Sequence, residues 1–213
     1  MQRDEKVWKE VSEKYGINYI FFTHTDITEW ADEFLTRMSK DKGWPMVFLN
    51  DAVVIFLKYS DANRAIINEH KITNDNLDKR ITQVLTKLDK RDDNAFINFG
   101  NALYRFRYLA GAATVFEALI SNQPDNPYGY QGAGYAYVSM NDPATQQKAA
   151  DNLKKAIDLG FRTFNNYFTL GIIKANLGDL LGAEENIRKA LKINPENENA
   201  RQALEVIQNK LKF

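Results

Sequence analysis

A spacing pattern recurs through the second half of the chain, and it constrains the fold more than any other feature of the sequence. Small and large apolar residues occupy the same positions in successive segments of about 34 residues. The clearest segment begins at Phe164 and has, at its positions 4, 7, 8, 15, 20, 24, 27 and 32, the residues Tyr167, Leu170, Gly171, Gly178, Ala183, Ile187, Ala190 and Pro195. Small residues at positions 8, 20 and 27 let two antiparallel helices approach closely. Each segment is therefore predicted to be a helix–turn–helix unit that buries its apolar face against its neighbours.

Two earlier segments follow the same register. The first begins at Asp93 and departs from the pattern only at Leu119, where a small residue is expected. The second begins at Pro127 and has three extra residues before Ala149, which predicts a long inter-helix loop around the sequence MNDPATQQ. A final apolar periodicity predicts a helix that caps the stack. The predicted units are residues 93–126, 127–163 and 164–197, followed by a capping helix at 198–212.

These segments resemble tetratricopeptide repeats. The resemblance implies a mostly α-helical, right-handed solenoid over residues 93–213, which would act as a non-enzymatic scaffold module and bind a protein or peptide in a concave groove. In that family, positions 2, 5, 9, 12 and 13 of each first helix line the groove. The groove residues implied here are Asn94, Ile97, Asn101, Tyr104, Arg105, Tyr128, Gln131, Tyr135, Phe168 and Ile172.

Two interpretations of this groove stay open. Aromatic side chains beside Arg105 have the usual composition of a binding hot spot, which favours partner recognition. Alternatively, the protein's own α/β part or capping helix covers several of these aromatic residues. The glycine-rich sequence GAGYAY at residues 132–137 lies inside a first helix of the pattern, which predicts close helix packing and not phosphate binding.

The front of the chain has a different pattern. Residues 1–60 are predicted to form a small α/β domain with about three strands, and residues 61–92 are predicted to form linking helices. The strand INYIFFT precedes a helix whose apolar face runs from Ile27 to Met38. A hairpin over residues 44–58 is expected to turn at Asn50 and Asp51, since both residue types tolerate a positive φ.

The sequence His24-Thr25-Asp26 ends the first predicted strand and has the residue types of a metal or acid–base site. Asp26, however, has Glu29 three residues further on, which is the spacing of a capping box at the start of a helix. A metal ion would also need further ligands, which no neighbouring residue supplies. We therefore expect His24 and Asp26 to be structural and expect no metal.

Residues 6–72 carry a second resemblance. The stretches VWKEVSEKYGINYIFFTHTD, WPMVFLNDAVVIFLK and NRAIINEHKI are similar to the soluble tail after the last membrane span of multi-spanning glycosyltransferases of the dolichyl-phosphate-mannose type. This resemblance implies that the chain is the extramembrane domain of a larger membrane protein. If the chain has no such parent protein, we expect a cytoplasmic location. The catalytic acids of such enzymes lie among membrane helices, so it implies no catalytic residue in this chain.

Composition narrows the remaining classes of function. Lys and Arg number 28, as do Asp and Glu, so no overall positive field favours nucleic acid. The chain has no Cys and two His, which excludes thiolate zinc sites and sites of several imidazoles. No apolar stretch approaches the ~20 residues that span a bilayer. We expect no cofactor and no enzyme activity; the alternative is an enzyme or small-ligand-binding domain with its site in the α/β part.

Overall fold

The computed structural model describes residues 4–26 and 28–212, and the chain divides into two compact units at Gly111. The elements of the first unit are α1 (Glu5–Lys14), β1 (Tyr19–Thr23), α2 (Glu29–Met38), β2 (Met46–Leu49), β3 (Val53–Leu57), α3 (Arg64–His70), α4 (Asn74–Leu85) and α5 (Asp93–Arg105). Helix α6 (Leu109–Asn122) begins at the end of this unit. The second unit continues with α7 (Pro127–Ser139), α8 (Pro143–Asp158), α9 (Phe164–Asn176), α10 (Leu180–Ile193) and α11 (Glu198–Leu211). The predicted fold class, mostly helical repeats with a small three-stranded segment in front, is confirmed.

The sheet of the first unit is antiparallel and has the strand order β1-β3-β2. Pairing of β1 with β3 places Ile20 opposite Phe56, and both side chains are buried. Alternate side chains of a strand face the same side, so Phe22 lies on this face as well. Its ring is 5.6 Å from that of Phe34 in α2, and Phe34 in turn meets Trp8 of α1 at 5.4 Å, edge to face. This part of the core therefore lies between the sheet and these two helices.

The predicted hairpin connects β2 and β3, but its turn works differently from the expectation. In the described part of the chain, the residues other than glycine with a positive φ are Arg107 and Asn141, so the turn residues do not use that conformation. Instead, Oδ1 of Asn50 accepts hydrogen bonds from the backbone N–H groups of Ala52 and Val53, at 3.0 and 2.8 Å. The turn thus depends on the side chain of Asn50 and not on its tolerance of left-handed backbone.

The predicted capping box at the second helix is wrong. Helix α2 begins at Glu29, which makes Thr28 the N-cap residue and Glu29 the first helical residue. Oδ1 of Asp26 accepts hydrogen bonds from the N–H and hydroxyl groups of Thr28, at 2.8 and 2.7 Å, and these bonds lower the pKa of Asp26. Asp26 is structural, but it holds a turn before the helix. The predicted apolar position at Ile27 lies outside the described residues.

Close helix packing at glycine is confirmed in the second unit. A Cβ atom on Gly132 of α7 would lie 2.4 Å from ring atoms of Phe116 in α6. A Cβ atom on Gly134 of the same helix would lie 2.8 Å from Cγ of Leu153 in α8. Both distances are shorter than van der Waals contact, so the two glycines let α7 approach a neighbour on each side. The glycines of GAGYAY are packing residues.

The predicted long loop in the middle repeat is wrong. Helices α7 and α8 are joined by three residues, 140–142, and α8 has 16 residues against 14 in α6 and in α10. Oδ1 of Asp142 accepts a hydrogen bond from the N–H of Ala144, and Pro143 is the first helical residue. Proline is favoured at this position because its missing N–H would be unpaired there anyway. The extra residues therefore lengthen the second helix of the repeat.

Helix α11 packs at the end of the second unit. Its buried residues Ala200 and Ile207 share an apolar cluster with Ala183 and Ile187 of α10. Among the described residues, no helix combines the length and the apolar character needed to cross a membrane.

Candidate functional site

The predicted groove positions on α5 differ in exposure. Asn94 and Asn101 are exposed, whereas Ile97 and Tyr104 are half-buried. They lie on the helix face opposite the buried residues of α5, because the helical period of 3.6 residues separates the two sets.

Arg105, the predicted cationic residue of the groove, is bound by other parts of the first unit. Its Nε atom is 2.9 Å from Oδ1 of Asp32 in α2, and its Nη1 donates a hydrogen bond of 2.8 Å to the carbonyl oxygen of His24. The Arg105 side chain is 20% exposed. The carboxylate of Asp32 therefore compensates the charge of Arg105 within the first unit, and two of the three guanidinium nitrogen atoms already have partners.

His24 belongs to the same set of contacts. Its buried ring donates a hydrogen bond from Nε2 to the carbonyl oxygen of Asn50, over 2.7 Å, and so connects the end of β1 to the hairpin turn. Burial lowers the pKa of His24 below its ordinary value, and the charge of Arg105 acts in the same direction. In residues 4–26 and 28–212, no three His, Asp or Glu side chains are arranged to hold a metal ion. The geometry is that of a neutral, structural histidine.

The predicted positions on α7 form one face of that helix. Tyr128, Gln131 and Tyr135 follow at intervals of three and four residues, which brings them onto the same side. Tyr128 is 48% exposed, and its ring meets that of Phe161 edge to face at 4.5 Å. Gln131 and Tyr135 are half-buried.

Asn166 of α9 connects this face to the next repeat. Its Oδ1 accepts hydrogen bonds from Nε2 of Gln131 at 3.0 Å and from the hydroxyl of Tyr135 at 2.7 Å. Its Nδ2 donates to the carbonyl oxygen of Phe161 at 2.8 Å, and the residue is fully buried. The buried amide of Asn166 would be costly to leave unpaired, and its bonds to Gln131 and Tyr135 fix these side chains of α7 relative to α9.

Sequence reasoning missed Asn166, although a signal was present. Asn166, Leu170 and Ile173 follow at intervals of four and three residues and are all buried. An amide on the buried face of a helix needs a hydrogen-bond partner, and polar residues face it at positions 5 and 9 of the preceding repeat. That combination identifies a hydrogen-bonded contact between successive repeats.

The predicted positions on α9 pack inside the second unit. Phe168 stacks on Phe164 with ring centroids 5.6 Å apart and planes 9° from parallel. Phe168 and Ile172 both contact the cluster of Ala183, Ile187, Ala200 and Ile207, to which the capping helix contributes. In the second interpretation of the groove, the protein's own capping helix covers such side chains. The packing of Phe168 and Ile172 is the arrangement that this interpretation expects. Which residues bind a partner stays a prediction.

Comparisons with known proteins agree with this architecture. Residues 164–197 match the family model described as tetratricopeptide repeat. Protein bimA of Emericella nidulans is 29% identical over 113 residues, which cover 53% of this chain and 14% of that protein. The chain therefore spans about a seventh of the length of this relative.

Solved structures share the fold at low sequence identity. YrrB, described as a TPR protein with an unusual peptide-binding site, has a TM-score of 0.53 and 21% identity, covering 60% of this chain and 63% of that one. The first TPR of Spaghetti (RPAP3), bound to the HSP90 peptide SRMEEVD, has a TM-score of 0.53 and 19% identity, covering 59% and 98%. MamA has a TM-score of 0.55 and 18% identity, covering 72% and 86%. The part of the chain that these structures cover, 59–72% of it, thus shares the fold of TPR solenoids, and residues 164–197 match the tetratricopeptide repeat.

Proposed function

We propose that the chain is a non-enzymatic interaction module that binds a peptide segment of a protein partner on the exposed face of α7. The observation that carries this proposal is Tyr128, an aromatic side chain that is half-exposed and contacts the ring of Phe161 edge to face. Tyr135 lies two turns further along the same face, and Asn166 holds its hydroxyl group. Tyrosine side chains are frequent anchors of protein interfaces because they bury a large area and lose little rotamer entropy.

Pre-organisation supports this function. Binding loses free energy when mobile side chains become ordered, so side chains that are fixed beforehand bind at a lower cost. The contacts of Gln131 and Tyr135 with Asn166 are formed within the free protein. Peptide binding is also what the names of YrrB and of the Spaghetti complex state for those proteins. The other predicted groove residues, on α5 and on α9, stay predictions.

The test begins with a random peptide display library selected on the immobilised full chain, followed by fluorescence anisotropy with the selected peptide. Tyr128→Ala is expected to weaken binding by about 1–3 kcal/mol, or about 5- to 150-fold, as loss of an interface anchor does. Leu181→Ala is the matched control, because Leu181 is 72% exposed but lies on α10, a second helix of its repeat. A Tyr128→Ala protein that binds within twofold of the wild type, or an equal loss in the control, would overturn the proposal.

We further propose that the chain is part of a larger membrane protein related to glycosyltransferases. This rests on the resemblance of residues 6–72 alone. The reading frame upstream of the coding sequence tests it. Several hydrophobic spans encoded in that frame would support a membrane-bound parent, whereas an in-frame stop codon immediately upstream would overturn it.

A further inference from the structure

A groove of about 520 Å³ lies in the first unit between β2 and α4. Residues 47–51 of β2 and the hairpin turn form one wall, and Arg80, Val84 and Lys87 line the other. Leu49 and Ile72 are buried apolar residues that contribute to the lining. The volume is within the range of ligand-binding clefts, and the combination of apolar lining and polar rim is typical of them.

The strand beside this groove has an open edge. In the order β1-β3-β2, the outer side of β2 has no neighbouring strand among the described residues. The N–H of Ile72 donates a hydrogen bond of 2.8 Å to the carbonyl oxygen of Met46 at the start of that edge. The β-bulge between Met46 and Phe48 lies at this same end. Beyond the bulge, β2 borders the groove. The hydrogen bond from Ile72 to Met46 is of the same kind as those that an added strand would form with the rest of this edge.

The length of the edge sets the size of its occupant. Strand β2 ends at Leu49, and an extended chain rises about 3.3 Å per residue, so the three residues 47–49 extend over about 10 Å. An added strand of about three residues would fill this length. Edge strands bind extended peptides by backbone hydrogen bonds, while pockets beside the edge accept alternate side chains.

Two cations of the groove lack a carboxylate partner. The Arg80 guanidinium group donates one long hydrogen bond, 3.4 Å, to the carbonyl oxygen of Glu69. Within residues 4–26 and 28–212, neither Arg80 nor Lys87 is ion-paired with a carboxylate.

Two of the three carboxylates in the lining have structural partners. Asp89 accepts a hydrogen bond from the backbone N–H of Arg91 and lies 3.5 Å from its Nε. Asp92 is the N-cap of α5 and accepts a hydrogen bond from Ala95. Asp51, the third, adds one negative charge to the lining against the two positive charges of Arg80 and Lys87. The charge that is left open to a ligand is therefore positive on balance and belongs to Arg80 and Lys87.

We propose that this groove is a second protein-binding site, which accepts an extended peptide as an additional strand on the outer edge of β2. Apolar side chains of the peptide lie against Leu49, Ile72 and Val84, and a carboxylate of the peptide binds Arg80 and Lys87. The free edge requires an extended backbone, and the two cations require negative charge. Neither requirement applies to the face of α7, so the two sites differ in the partners they recognise.

The experiment uses the full, isotopically labelled chain and a pool of N-acetylated hexapeptides in which Val or Ile alternates with Ser or Thr. The pool is made with a free C-terminal carboxylate, with a C-terminal amide, and with alternate backbone nitrogens methylated. Amide chemical shifts are expected to change at residues 47–51 and along α4 on addition of the carboxylate pool. Amidation is expected to weaken binding about tenfold, as loss of a charge-assisted hydrogen bond does, and methylation is expected to remove the strand pairing.

Protein variants test the two cations. The double variant Arg80→Glu with Lys87→Glu is expected to weaken binding of the carboxylate pool at least about tenfold. Lys79→Glu reverses one charge, half the change of the double variant, on an exposed residue of α4 that does not line the groove. It is expected to bind like the wild type. The proposal is overturned if millimolar carboxylate pool leaves residues 47–51 unperturbed, if the amide or methylated pool binds equally well, or if Lys79→Glu weakens binding as much as the double variant.

Discussion

Gly134 provides the sharpest test of how the second unit packs. A Cβ atom there would lie 2.8 Å from Cγ and 2.9 Å from Cδ2 of Leu153, and 3.4 Å from the backbone nitrogen of Leu153. Nonbonded carbon atoms prefer about 3.5–4.0 Å, so Gly134→Ala creates an overlap of roughly 0.7 Å. Leu153 is completely buried, so its side chain cannot move out into solvent. Either α7 and α8 separate, or the Leu153 side chain leaves its preferred rotamer.

Two opposing terms set the size of the effect. Overpacking a core position costs about 1–3 kcal/mol. Alanine is favoured over glycine inside a helix by about 1 kcal/mol. The free energy of unfolding is therefore expected to fall by about 0–2 kcal/mol in Gly134→Ala. A change near zero would be ambiguous by itself, so the substitution is best measured together with one at Leu153.

A double-mutant cycle separates the two terms. Leu153→Ala removes the atoms that the new Cβ would overlap, and this truncation alone costs about 2–5 kcal/mol. In that background Gly134→Ala keeps its helix-propensity gain and is expected to stabilise by about 1 kcal/mol. The coupling between the two sites is then about 1–3 kcal/mol.

Urea unfolding followed by far-UV circular dichroism measures all four proteins of the cycle. Tryptophan fluorescence is unsuitable, because Trp8, Trp30 and Trp44 all lie in the first unit. The reasoning is refuted if Gly134→Ala changes stability by the same amount in both backgrounds. Equal changes would mean that α7 and α8 do not meet through this glycine.

Two further predictions concern buried polar groups. Asn166→Ala is expected to lower the unfolding free energy by at least about 2 kcal/mol, because it removes three hydrogen bonds, to Gln131, Tyr135 and Phe161. Urea midpoints should show this loss, and they should change little in Asn165→Ala, because Asn165 is exposed. The folded-state pKa of His24 lies below the ordinary value of 6.5, so the unfolded chain binds this proton more tightly. The stability due to neutral His24 is complete above about pH 6.5 and declines as the pH falls below it. Urea midpoints from about pH 7.5 to about pH 5 should therefore decline less in His24→Gln than in the wild type. A wild-type protein that declines no more than His24→Gln over this pH range would contradict the assignment.

The repeat helices were predictable from sequence because their determinants are local and periodic. Gly134 and Gly171 occupy the same position in successive repeats, and each would bring a Cβ atom within 3 Å of a residue in the following helix. The loop of the middle repeat was mispredicted because the insertion was assigned to the turn. Asp142 followed by Pro143 is itself a helix-start signal, since it combines an N-cap residue with proline at the first helical position.

Other features depend on choices that a sequence pattern does not resolve. Asp26 and Thr28 are both good N-cap residue types. In the structure Thr28 occupies the N-cap position without a side-chain capping hydrogen bond, and Asp26 holds the preceding turn. The environment of Arg105 depends on Asp32 and His24, which are more than seventy residues away in the chain. No local periodicity in the sequence indicates a contact over that separation. For this reason the sequence predicted that Arg105 faces a partner, whereas in the structure it is bound within the first unit.

The contacts at the end of α5 matter for anyone who wishes to express the repeats alone. A fragment starting at residue 93 would keep Arg105 but delete Asp32 and the carbonyl group of His24 that it binds. It would also delete Phe56, whose ring meets that of Phe106 at 6.3 Å and nearly at right angles. Phe106 is 6% exposed in the whole protein, and returning such a side chain to water costs about 1.5–3 kcal/mol. The truncated product would begin with a helix whose Phe106 ring has lost its contact with Phe56 and whose Arg105 has lost its carboxylate partner, so its helices should be less stable alone than in the whole protein.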